Sequence, residues 1–147
     1  MSDSSVKIPY VNLKAQWLND RSGLLPIIDK ILGSGQYVGG EEVEKFETQI
    51  AKFCQVKYAV ALNSGTDALT FALYCVGIKP GDEVITAPNS FIATAATIVR
   101  LGAKPIFVDV CDDQNINAEL VEKVITDKTK VILPIHLTGR IANMNKI

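Results

Sequence analysis

The stretch Asn63-Ser64-Gly65-Thr66-Asp67-Ala68-Leu69 decides how the rest of this chain is read. Before it lies an apolar run, Tyr-Ala-Val-Ala-Leu at 58–62, and after it an apolar-periodic run over 69–76. The first has the length and composition of a short buried strand. The second places Leu69, Ala72, Leu73 and Val76 on one helical face. The turn between them offers small residues, two hydroxyls and a glycine, which suits backbone N–H groups and a helix N-terminus meeting an anion. Ser64 or Thr66 can equally cap the helix with no ligand present. Local chemistry leaves phosphate binding and simple capping level.

Beyond this turn the chain alternates strand and helix. Strand-like runs at 83–86, 105–110 and 130–135 are separated by helical patterns at 90–101 and 117–125. Short apolar runs alternating with helices predict a mainly parallel sheet covered on both faces, a three-layer α/β fold. Gly77, Gly81 and Gly102 fall at helix or turn exits. Upstream, residues 1–8 read as a loose lead-in and 9–13 as a short extended piece. Residues 20–32 read as a helix, with Leu24, Ile27, Ile28 and Ile31 at helical spacing and Pro26 early in it. Gly33, Gly35, Gly39 and Gly40 mark a loop, and 41–53 a second helix with Val43, Phe46, Ile50 and Phe53 on its apolar face. That helix is acidic at its start (Glu41, Glu42, Glu44) and basic near its end (Lys52), which suits the macrodipole and reads as solvated surface.

Bulk properties narrow the function classes. At 48% hydrophobic and 21% charged residues the chain has an ordinary globular composition. A net charge of −1 gives no long-range pull toward nucleic acid or an anionic membrane. No apolar run approaches the ~20 residues of a membrane span, and the N-terminus lacks a basic-then-apolar signal pattern. Cys54, Cys75 and Cys111 form no CxxC pair, so a reducing cytoplasm and inert thiols are expected. GxGxxG, GxxxxGK[ST] and HExxH are all missing, which weighs against dinucleotide, P-loop and zinc-protease chemistry.

An ordered set of motifs carries a resemblance. It comprises Gly33-Ser-Gly-Gln-Tyr-Val-Gly-Gly40, Asn63 to Leu69, Pro80-Gly-Asp-Glu-Val-Ile-Thr86, Ser90-Phe-Ile-Ala-Thr-Ala95 and Leu101-Gly-Ala-Lys-Pro-Ile-Phe-Val-Asp109. Ile125-Thr-Asp-Lys-Thr-Lys130 and Pro134-Ile-His-Leu-Thr-Gly139 complete it. In order and spacing the set resembles the N-terminal portion of the pyridoxal-phosphate-dependent sugar aminotransferases of the DegT/DnrJ/StrS family, fold type I of the aspartate aminotransferase superfamily. The resemblance implies that residues 1–147 are the N-terminal part of a cofactor-binding domain whose C-terminal remainder is absent.

It also implies a cofactor, pyridoxal 5'-phosphate, and the residues that would hold it. Ser64, Gly65 and Thr66 fall at the phosphate loop, with the Gly65 and Thr66 N–H groups and Thr66 Oγ1 as donors. Asp67 should turn away, because a carboxylate aimed at phosphate repels it. Phe91, placed just inside the 90–101 helix, matches the aromatic that stacks on the pyridine ring; from the residues alone an ordinary core phenylalanine fits as well. Asn89, Ser90 and Thr94 flank it as possible polar contacts. His136, the one histidine, is expected to make a structural hydrogen bond. The partners implied are a keto sugar nucleotide, glutamate as amino donor and a second copy of the chain, with the 33–40 loop crossing near the partner's active site. No metal, nucleic acid or membrane is implied.

The resemblance stops short of the reacting groups. Transamination needs a lysine to hold the cofactor aldehyde and a carboxylate on the pyridine nitrogen. In the family both follow the Pro-Ile-His-Leu-Thr-Gly segment, beyond Ile147, and none of the lysines present matches the Schiff-base position. The catalytic set here is therefore empty. The chain alone is expected neither to hold the cofactor tightly nor to transaminate. The alternatives are a non-catalytic truncated product, a partner subunit of the same fold, or part of a related sugar dehydratase.

Overall fold

Residues 8–147 are described by a computed structural model; the lead-in expected at 1–8 lies outside the described residues except for Ile8. They fall into two compact units, one ending at Ala61 and the other Leu62–Ile147.

The first unit holds two helices, α1 (Leu13–Ser34) and α2 (Glu41–Phe53). α1 is longer than the periodicity predicts because Asn12 caps it, its side chain accepting from the Ala15 N–H at 3.1 Å. Residues expected to be extended, and Gly33 expected in the loop, are therefore helical or adjoin the helix. Pro26 sits in the helix interior and not near its start. The helix ends where Gly35 takes a left-handed φ of 73°. None of its 22 residues is buried. α2 has the expected bounds; its glutamates lie at the surface in ion pairs, Glu41 with Lys45 at 2.9 Å and Glu42 with Lys30 at 3.0 Å.

The strand expected at 58–62 does not form. A strand exists only through a ladder with a neighbour, and this run pairs with none of the described strands. One of its donors goes elsewhere, the Ala61 N–H to the Glu47 carboxylate at 2.8 Å.

The second unit is the α/β body. Its elements are α3 (Gly65–Cys75), β1 (Glu83–Thr86), α4 (Ala93–Arg100), β2 (Lys104–Phe107), α5 (Ala118–Val121) and β3 (Thr129–Leu133). The sheet is parallel with order β2-β1-β3. Because side chains alternate across a strand, the central β1 sends Val84 to one face and Ile85 to the other, both fully buried. Val84 packs with Leu73, Ile78, Ile98 and Ala103, the layer of α3 and α4. Ile85 packs with Val108, Ile116, Val121 and Ala142, the layer of α5 and the C-terminal segment. Burying a side chain of this size contributes about 1.5–3 kcal/mol. The three layers are those the alternation predicts.

Two helices are shorter than the sequence pattern predicts. The helix expected over 90–101 begins only at Ala93, and that expected over 117–125 shortens to α5 plus a 3-10 turn, with Asn117 capping at 3.0 Å. Gly102, at φ 75°, closes the turn before β2. A Cβ there would lie 3.0 Å from the Cβ of Pro80, so neither its backbone angle nor its surroundings accept a side chain.

Candidate functional site

The turn 63–66 leads into α3 as the sequence predicts, without the preceding strand. Ser64, extended at φ −156°, caps α3: its Oγ accepts from the Asp67 N–H at 3.1 Å. The first intrahelical bond runs from the Ala68 N–H to the Ser64 carbonyl at 3.0 Å. The N–H groups of Gly65 and Thr66 are thus left over at the helix mouth, where the first turn of any helix has donors without partners. Gly65 adopts no unusual backbone angle, and a Cβ built on it would meet nothing within 4 Å. Its lack of a side chain is not required by its own packing, and it leaves open space before the helix. Capping and anion binding are compatible here, since the Ser64 hydroxyl keeps its own proton to donate.

Asp67 turns toward a neighbouring helix, 3.6 Å from the Arg100 guanidinium. The sequence placed it away from a ligand, bonded to backbone or solvent; the ion pair with Arg100 was not legible, because nothing local marks a partner one helix on. Both groups are partly exposed, so the pair is worth little to stability, within about 0–1 kcal/mol.

Phe91 lies two residues before α4, in the loop that follows β1, and not inside the helix. It is 75% exposed and belongs to neither core cluster of the described residues. The loop is anchored at both ends by buried Ala87 and Ala93. Thr94 is buried and cannot offer its side chain at the surface, which corrects its expected role; Ser90 Oγ reaches only the Phe91 carbonyl, at 3.5 Å. Asn89 was expected as a ligand contact and instead donates from Nδ2 to the Gln114 carbonyl at 2.9 Å.

The Phe91 loop and the Gly65–Thr66 turn are linked only through α4, from its opposite ends. Arg100, which holds Asp67, ends the helix that the Phe91 loop begins, and its eight residues span about 12 Å. Two cavities lie elsewhere. One of 200 Å³ is lined by Glu44, Glu47, Thr48, Lys57 and Tyr58, and one of 280 Å³ by Lys30, Tyr37, Gly40 and Glu42 among others. Neither includes Ser64, Gly65, Thr66 or Phe91.

His136 follows β3 and makes the structural bond expected of it: Nδ1 accepts from the Ala142 N–H at 3.1 Å. This requires the tautomer with its proton on Nε2. The three cysteines are exposed and free. Among the described residues, no three His, Cys, Asp or Glu side chains gather to hold a metal ion, and no helix is long and apolar enough to cross a membrane.

An α/β fold with a parallel sheet is the fold the sequence resemblance implied, and comparison with known proteins agrees. The family model described as the DegT/DnrJ/EryC1/StrS aminotransferase family matches residues 21–147, and the chain belongs to that family. It is 39% identical to the dTDP-3-amino-3,4,6-trideoxy-alpha-D-glucose transaminase of Streptomyces venezuelae, over 96% of this chain and 38% of the relative. To the UDP-2-acetamido-2-deoxy-3-oxo-D-glucuronate aminotransferase of Pseudomonas aeruginosa it is 38% identical, over 95% of this chain and 39% of the relative. The crystal structure of NtdA from Bacillus subtilis with bound cofactor PMP superposes with a TM-score of 0.92 at 33% identity, covering all of this chain and 34% of that one. The chain thus spans about two fifths of the length of the curated relatives it matches.

Proposed function

We propose that this chain forms the N-terminal part of the cofactor-binding domain of a pyridoxal-phosphate-dependent aminotransferase that acts on a keto sugar nucleotide. The observation that carries the reading is the mouth of α3: two N–H groups unused by the helix, a capping hydroxyl with a proton to give, and open space at Gly65. These fit a phosphate. Charge-assisted hydrogen bonds contribute about 1.5–3 kcal/mol each, and the helix dipole adds about 0.3–1 kcal/mol.

Gly65 and Thr66 bind the phosphate through their N–H groups, and Thr66 Oγ1 and Ser64 Oγ complete the cradle. Arg100 engages the Asp67 carboxylate, so the nearest negative charge is paired. Phe91 presents a flat apolar face that fixes the ring plane and keeps water from that side. Bound pyridoxal phosphate supplies an electrophilic aldehyde and an electron sink; the lysine and carboxylate that act with it are not among the residues here. The substrate class is supported by the relatives' names, both of which concern a nucleotide-linked sugar. Glutamate as amino donor and a cytoplasmic setting belong to the same reading.

A homodimer is part of the proposal. Its support is α1, which leaves Trp17, Leu18, Leu24, Ile28 and Leu32 uncovered along a helix with no buried residue. An apolar surface of that kind marks an interaction face. Sedimentation should show a dimer that Leu24→Lys together with Ile28→Lys dissociates; a monomer at all concentrations would remove this element.

The decisive experiment is titration of the full chain with inorganic phosphate and with pyridoxal phosphate, followed by amide resonances. Gly65 and Thr66 amides should shift with both ligands, and Thr66→Ala should weaken both. Shifts confined to other residues would overturn the phosphate site.

A further inference from the structure

The C-terminal end of the loop that bears Phe91 is tied to α4, where the Phe91 and Ile92 carbonyls accept from the Thr94 and Ala96 N–H groups at 3.0 and 2.9 Å. Ahead of Phe91, among the described residues, the one side-chain hydrogen bond that leaves the loop is that from Asn89 Nδ2 to the Gln114 carbonyl, at 2.9 Å. The acceptor side is built to be rigid. Val110 and Ile116 form an antiparallel bridge, and the Cys111 N–H bonds to the Asn115 carbonyl at 2.9 Å. The Gln114 N–H returns to the Cys111 carbonyl at 2.8 Å, closing a tight turn in which Gln114 takes a left-handed φ of 68°. Asp113 clamps the buried Asn115 twice, accepting from its backbone N–H at 3.0 Å and from its Nδ2 at 3.1 Å. Those bonds, the side-chain one foremost, hold the Asp113 carboxyl below its ordinary range. Arg140 braces the same turn from the C-terminal segment, donating to the Asp113 carbonyl at 3.5 Å. A non-glycine residue held in the left-handed region persists only where its surroundings over-determine it. The result is a fixed carbonyl offered to the Asn89 side chain, two residues before Phe91.

We infer that Asn89 is a positioning residue: through the Gln114 carbonyl it sets where the Phe91 ring stands, and so how well the chain receives the pyridine ring of pyridoxal phosphate. The inference rests on the reading of Phe91 given above and adds the element that locates it. Asn89 itself touches no cofactor. Its effect is confined to the ring half of the ligand, because the phosphate half is held by a different turn.

The test compares two probes, pyridoxal phosphate and inorganic phosphate, on the full chain. Asn89→Asp keeps the shape of the side chain and removes the donor; Asn89 is exposed, so folding is not at risk. Affinity for pyridoxal phosphate should fall about 2- to 12-fold, the equivalent of one hydrogen bond, while affinity for inorganic phosphate stays unchanged. Without ligand, the backbone order parameters of Ser90 and Phe91 should drop. Gln114→Gly retains the carbonyl and accepts the left-handed angle, so it should bind both probes as the parent does. Unchanged pyridoxal phosphate affinity in Asn89→Asp, or an equal loss for both probes, overturns the inference. Phe91→Ala separates the two levels. If it weakens pyridoxal phosphate while Asn89→Asp does not, only the positioning role fails; if it has no effect, the ring-platform reading fails and the positioning role with it.

Discussion

α1 and β1 both carry large apolar side chains, and these end in opposite surroundings. β1 is four residues long and every one of them is buried, because it has a paired strand on each side and a helical layer on each face. α1 is 22 residues long, carries seven large apolar side chains from Trp17 to Leu32 at the surface, and buries none. Apolar content states which residues would gain from leaving water. Whether they leave it depends on what stands opposite them, and that is a property of the assembled chain.

The largest effect should come from breaking the buried side of this contrast. Ile85→Ala removes a fully buried side chain between the sheet and the α5 layer and should cost about 2–5 kcal/mol by urea unfolding. The matching change in α1, Ile28→Ala, should stay within about 0.5 kcal/mol at concentrations where the chain is monomeric. An equal loss at both positions would mean that α1 is covered in solution and the contrast is false.

A second pair of helices sharpens the point. α3 is capped by Ser64, whereas α2 starts at Gly40 with no side-chain cap. Ser64→Ala should therefore cost about 0.5–2 kcal/mol and weaken phosphate binding as well, since one hydroxyl serves both. A loss of stability with phosphate affinity intact would reduce Ser64 to a cap alone.

Phe91 provides the third test. Exposed as it is, Phe91→Ala should move the unfolding free energy by less than about 0.5 kcal/mol. Pyridoxal phosphate affinity should fall by about 0.5–1.5 kcal/mol, if ring stacking between aromatic side chains is the guide. A stability loss of about 3–5 kcal/mol with affinity unchanged would return Phe91 to the core.

The smallest effect concerns the charged face of α2. Glu41 is held below the usual carboxylate range by its hydrogen bond to Lys45, and Glu42 by its hydrogen bond to Lys30. A carboxylate depressed in the folded state contributes stability that is present above its unfolded pKa and lost as pH falls through the folded one. Acidification from neutral pH should thus lower the melting temperature slightly. High salt should shrink that shift, since these pairs lie at the surface. Lys30→Ala should reduce the Glu42 share of it, leaving the part that Lys45 supplies.

Adjacent residues were enough to read the α/β class, a helix opened by Gly65 and Thr66, the position of β1 and α2, and the two hydroxyls and glycine at the helix mouth. Each of these is local: strand-length apolar runs, a cap residue one place before a helix, and a 3.6-residue period are all written in adjacent positions. Family membership was legible for the same reason, through short motifs in a fixed order. Asn12 shows that even a local signal can be passed over, for its cap extends α1 well before the expected start. What tertiary structure alone decided depends on residues far apart in the chain. The run at 58–62 has strand composition and, among the described residues, no strand beside it. Thr94 was read as a ligand contact and is turned inward by the packing of α4, while Phe91, which fits a core as well as a surface, stands in water. Arg100 finds Asp67, and Asn89 finds the carbonyl of Gln114, only once the helices and loops around β1 are stacked. A spacing along the chain encodes periodicity; it carries no record of which distant donor will face which acceptor, because that is fixed by how the layers close on one another.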